Sequence, residues 1–168
     1  MNQVLAELKG HPVVSGLNAV VGDEGSGKTT FLRQLCEAYP EAMWLDMRLP
    51  AYDQITPEEF WAECKSSWPL WSDDWCNDLC AALGLKDHLG KKLFMLSTGS
   101  RRKVALIALL SSGAKFVCLD QPFAALDQAS IDVLIDFLND MTENPTRAWL
   151  VADYEADHRL LWGSKIKL

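Results

Sequence analysis

The run Gly22-Asp23-Glu24-Gly25-Ser26-Gly27-Lys28-Thr29 places glycines, a lysine and a hydroxyl at the spacing G-x-x-x-x-G-K-[ST]. Each residue type there has a chemical reason. Glycines let a backbone wrap closely around a bulky anion, with successive N–H groups pointing inward. The lysine can reach terminal phosphates, and the hydroxyl that follows it can ligate magnesium. The expected ligand is therefore ATP or a close relative with Mg2+, held by Gly22, Asp23, Glu24, Gly25, Ser26, Gly27, Lys28, Thr29 and Thr30. A second element is the apolar run Phe116-Val117-Cys118-Leu119 closed by Asp120. A carboxylate at the C-terminal edge of a parallel strand sits where such sheets bind ligands, and it can hold magnesium directly or through water.

These groups need a scaffold. Leu17 to Val21 reads as a buried strand and Lys28 to Ala38 as a helix, so the glycine loop opens a helix whose N-terminal partial charge favours anions. Short strands are expected at Ala42–Asp46, Lys115–Leu119 and Ala148–Ala152, with a last one near Lys165–Leu168. Strands separated by helices predict an α/β fold, a mostly parallel sheet flanked by helices. Between the second and third strands the pattern is helical. One helix runs from Pro57 to Ser67, with Thr56 as N-cap and Glu59 in capping-box position. Others run from Ser72 or Asp73 to Leu83 and from Thr98 to Ser112. The expected organisation is a single domain with a core of about 1–55 and 113–168 and a small helical subdomain of about 56–112.

Composition narrows the partners. The chain has 168 residues, 49% of them apolar, and a formal net charge of −7. That balance argues against nucleic acid, which is bound by Lys and Arg neutralising phosphates. The longest apolar run, Val104 to Leu110, is far short of the roughly 18 residues of a membrane span. With no leader-like start, the expected location is cytoplasmic, at the inner face of a membrane through a partner if at all. The five cysteines are an odd number. Cys76 and Cys80 have i, i+4 spacing, but reduced thiols are the plainer reading than a metal pair.

A family resemblance follows from two further motifs. Leu96-Ser97-Thr98-Gly99-Ser100, continued by Arg101-Arg102-Lys103-Val104, resembles the LSGGQ signature and helix of ATP-binding cassette (ABC) ATPases. Asp120-Gln121-Pro122-Phe123-Ala124-Ala125-Leu126-Asp127 resembles the Walker B end and D-loop of that family. The resemblance covers about residues 16 to 168 and is most specific from Leu93 to Asp127. It implies a P-loop NTPase fold and an ATP-binding transporter subunit, in which two cassettes, identical or different, pair head to tail. Ser97 and Gly99 would then contact the γ-phosphate held by the other cassette's loop, and Asp127 would lie at the dimer interface. It also implies a membrane permease as partner, and a glutamine linking magnesium to the helical subdomain, a role that falls to Gln54. The alternative is a soluble switch in which ATP binding controls association with a cytosolic partner.

The sequence departs from the family pattern in several places. Gln121 stands where the family carries the glutamate that polarises the attacking water. An amide can hold a water but cannot accept its proton. Where the family carries a switch histidine, this chain has Asp153 or Tyr154. Gln121 and Asp153 are thus the candidate catalytic positions, and both argue for weak hydrolysis. His158 is either a substitute or an ordinary surface residue. The antiparallel strands before the loop are abbreviated, and His11 is either an adenine-stacking residue or a turn residue. Trp61, Trp68, Trp71 and Trp75 either fill the core of the helical subdomain or anchor the permease in a groove.

Overall fold

A computed structural model describes residues 2–168. Its chain divides into two compact units, one of residues 2–44, 115–122 and 134–168, the other of residues 45–114 and 123–133.

The first unit is built on a five-stranded sheet. Its strands are β3 (Gly16–Val21), β4 (Ala42–Trp44), β5 (Phe116–Asp120), β6 (Ala148–Asp153) and β7 (Ser164–Lys167), in the order β4-β5-β6-β3-β7. Every pairing is parallel. All six residues of β3 are buried, as a strand covered on both faces requires. Its one polar residue, Asn18, is fully satisfied. Its amide donates to Val14 O at 2.8 Å, and its oxygen accepts from Val14 N at 2.9 Å and from the Ser164 hydroxyl at 2.7 Å. Helix α1 (Lys28–Ala38) buries Phe31, Leu32 and Leu35, which join Val20, Phe116 and Leu150 in one core cluster. Before the sheet, β1 (Val4–Leu8) and β2 (His11–Val14) form an antiparallel hairpin around a turn at Lys9 and Gly10. His11 therefore opens a strand rather than sitting in the turn, and its ring packs edge-on to Phe31 at 5.9 Å.

The register matters most at the carboxyl ends of the strands. Val21 lies opposite Asp153, and Asp120 lies opposite Ala152. The last residues of β3, β5 and β6 thus share one edge of the sheet. β4 stops at Trp44 rather than the expected Asp46. The Asp46 carboxylate accepts from the backbone N–H of Arg48 at 3.0 Å, an Asx turn that bends the chain out of the sheet.

The second unit is helical. α2 (Pro57–Ser67) carries the expected capping box, with both Thr56–Glu59 hydrogen bonds made. α3 (Asp73–Ala82) is capped by Ser72, and α4 (Thr98–Ser111) by Ser97. Residues 104–111 of α4 are buried throughout, as befits a helix apolar all round. The buried Trp61 ties α2 to it by donating its indole N–H to Val104 O at 3.0 Å. The α-helix α5 (Gln128–Asp140) was not expected from sequence, although Ile131, Leu134, Ile135 and Leu138 have the spacing of a buried helical face.

Candidate functional site

The loop between β3 and α1 is shaped by its glycines. Gly25 and Gly27 have φ of +77° and +95°, which side-chain-bearing residues rarely adopt. Gly27 is the N-cap of α1, and no side chain caps that helix. Its first-turn N–H groups are therefore free to serve an anion. The Ser26 hydroxyl is buried in the loop without a hydrogen-bond partner.

Lys28 and Thr29 start α1 and point to different neighbours. Lys28 is 7% exposed, and its ammonium donates to Gly22 O and, at 2.8 Å, to Asp23 O. The Tyr154 ring lies 4.7 Å from the same nitrogen. The Thr29 hydroxyl donates to the Asp120 carboxylate at 2.6 Å. Two hard oxygen donors, distant in sequence, thus meet beside a lysine at a helix N-terminus. This donor set suits magnesium, which prefers carboxylate and hydroxyl oxygens near phosphate.

The strand ends around this cluster are fixed by backbone contacts. Gln121 has φ of +47°, and its N–H donates to Ala152 O at 2.8 Å. A non-glycine residue held in left-handed backbone needs surrounding structure to keep it there, and such residues concentrate at functional sites. The Asp153 carboxylate accepts from the Tyr154 N–H at 2.8 Å, so it turns back on its own chain. His158 is exposed on the following turn.

The other candidate residues belong to the second unit. The Ser97 hydroxyl accepts from Ser100 N at 3.1 Å and caps α4. Gly99 is required by contact, because a Cβ there would lie 2.7 Å from Ala125 O. Asp127 accepts from Ser130 N at 2.8 Å and from the Lys103 ammonium at 3.2 Å. Those bonds, Ser130 first, bring its carboxyl down to about 2. Gln54 is exposed on a turn, next to Asp53, which pairs with Arg101 at 2.7 Å. Burial raises the thiols of Cys76, to about 12, and Cys80 on α3. Of the four clustered tryptophans, Trp61 is core, and Trp68, Trp71 and Trp75 are half-buried.

Two features were not singled out from sequence. One is the contact of Tyr154 with Lys28. The other is a cavity of about 340 Å³ lined by Arg48, Pro50, Asp53, Thr98, Arg101 and Arg102. Arg101 donates to Asp53 and to Leu49 O at 2.7 Å, while its Nε is buried without a partner. Arginines near a helix N-terminus oppose the helix dipole, and that misfit was the available signal.

A strand–loop–helix with these donors, on a parallel sheet, defines a P-loop nucleotide-binding domain. The comparisons narrow the class. Residues 40–124 match the family model described as ABC transporter. The chain is 30% identical, over 77% of its length and 72% of the relative's, to the cytochrome c biogenesis ATP-binding export protein CcmA of Aromatoleum aromaticum. It is 29% identical, over 99% of its length and 67% of the relative's, to the aliphatic sulfonates import ATP-binding protein SsuB 2 of Pseudomonas syringae pv. syringae. Its fold matches a putative ABC transporter ATP-binding protein from Pyrococcus furiosus with a TM-score of 0.72, at 20% identity over 99% of this chain and 96% of that one. The chain belongs to the ABC transporter family, as an ATP-binding subunit. Among the described residues, no helix is long and apolar enough to cross a membrane.

Proposed function

We propose that this subunit binds magnesium-ATP at Gly22–Thr30, pairs head to tail with a second cassette, and passes that closure to a membrane permease, hydrolysing ATP weakly. The observation that carries the reading is the 2.6 Å hydrogen bond from Thr29 to Asp120, beside the buried Lys28. Lys28 would transfer its hydrogen bonds from Gly22 and Asp23 to the terminal phosphates. Thr29 and Asp120 would hold the metal, with Gln54 as the further candidate, just ahead of the helical subdomain of about 56–112. When bound, magnesium supplies positive charge that neutralises the phosphate oxygens.

The signature face supports the pairing. Ser97 and Gly99 would approach a phosphate held by the other cassette, and the arginine-lined cavity beside Thr98 adds positive charge suited to it. Turnover depends on Gln121 and Asp153. Gln121 can orient a water but cannot take its proton, which removes assistance of about 10²–10⁴-fold. Asp153 adds a negative charge to the same sheet edge, where it would repel phosphate rather than stabilise it.

The test pairs binding with turnover. Wild type should bind magnesium-ATP, and Lys28→Ala should weaken binding about 10- to 100-fold, the loss of charged hydrogen bonds. Unchanged affinity in Lys28→Ala would remove the phosphate loop from the account. Gln121→Glu should raise a low wild-type turnover, with ATP-dependent dimerisation followed by light scattering. A fast wild-type enzyme would overturn the weak-hydrolysis reading.

A further inference from the structure

We propose that Tyr154 gates the phosphate loop, its ring holding the Lys28 ammonium where an incoming phosphate must displace it. The idea rests on reading the loop as the ATP site, and it assigns Tyr154 a role in setting nucleotide affinity.

The geometry around Lys28 carries the argument. An ammonium has three N–H donors and no acceptor. Two strong interactions go to Gly22 O and Asp23 O, both inside the loop itself. The Tyr154 ring lies 4.7 Å from the nitrogen and provides a third attractive partner through its π-face. The lysine is otherwise withdrawn from solvent, being only 7% exposed. Phosphate binding must therefore exchange existing contacts rather than fill an unmet need.

Tyr154 is placed for this by its backbone and left movable by its side chain. It directly follows β6, whose last residue, Asp153, lies opposite Val21 at the base of the loop. Asp153 holds the turn by accepting the Tyr154 N–H at 2.8 Å. Tyr154 as a residue is 50% exposed, so its side chain belongs to no core and can swing away without opening a cavity. A fixed root with a free ring is what a displaceable cap requires. Tyr154 is therefore a positioning residue for Lys28.

Two readouts test the gate. Titration calorimetry on the full chain would compare ATP and ADP binding by wild type, Tyr154→Phe and Tyr154→Ala. An exposed cation–π contact corresponds to about two- to fivefold in affinity, so Tyr154→Ala should tighten both nucleotides by that factor. Tyr154→Phe keeps the ring and should match wild type. The second readout needs no nucleotide: acetylation of Lys28 by acetic anhydride, followed by mass spectrometry, should rise in Tyr154→Ala and not in Tyr154→Phe. Unchanged affinity and labelling in Tyr154→Ala would overturn the gate while leaving the ATP site intact. Weaker binding of ATP alone would make Tyr154 a contact to the third phosphate and also overturn it. If labelling rises but no variant binds nucleotide, the contact with Lys28 stands and the ATP reading of the loop fails.

Discussion

The phosphate loop and the signature turn both bring glycine to the start of a helix, yet they use it for opposite reasons. In the loop, Gly27 has φ of +95°, and a Cβ there would meet nothing within 4 Å. Its requirement is conformational. In the signature turn, Gly99 lies in the first turn of α4, and a Cβ would press on Ala125 O at 2.7 Å. Its requirement is space. The polar groups differ in the same way. Lys28 and Thr29 are bonded to the loop and to Asp120, inside the unit that holds them. Ser97 spends its hydroxyl on capping its helix and is exposed. The loop is written mostly in local backbone, the signature turn in packing around a helix end.

Substitutions can sharpen or break that contrast. Trp61→Ala has the largest expected effect, a loss of about 3–5 kcal/mol in denaturant unfolding, because a buried ring that ties α2 to the signature helix is removed. A loss under 1 kcal/mol would mean that packing does not hold the signature face. Gly99→Ala should cost about 1–3 kcal/mol by overpacking against a backbone carbonyl, more than helix propensity would return. Gly99→Asn should be worse still. At Gly27 the order reverses. Alanine should cost about 1–2 kcal/mol from left-handed strain, and asparagine should cost less. Equal ranking of alanine and asparagine at both positions would dissolve the distinction. Ser97→Ala should cost about 1 kcal/mol, the loss of an N-cap.

The smallest effect is a pH dependence. In the folded chain Asp127 titrates near about 2, below an ordinary carboxylate at about 3.9. A depressed folded value means that its contribution is fully present above pH about 4 and fades as pH falls towards about 2. The stability difference between wild type and Asp127→Asn should therefore be flat near neutral pH and shrink over that acid range. A difference that grows on acidification would show that Ser130 and Lys103 do not stabilise the charged form.

Much of the scaffold was legible in the chain. The capping pair Thr56–Glu59 marked the start of α2, and the fully apolar run 104–110 marked a buried helix, because both signals are local. α5 was overlooked although its periodicity was present. The end of β4 was misjudged because an Asx turn at Asp46 competes with strand pairing.

By itself the sequence determined the phosphate loop, since G-x-x-x-x-G-K-T between a strand and a helix states its own conformation and charge. It also determined that Gln121 stands after Asp120, which bears on chemistry whatever the fold. Tertiary structure alone decided which distant groups meet. Parallel pairing of β3, β5 and β6 aligned their carboxyl ends, and only that register brings Asp120 to Thr29 and Tyr154 to Lys28. Local spacing cannot encode such contacts, because strand order in a sheet is set by how buried faces pack rather than by any short stretch of residues.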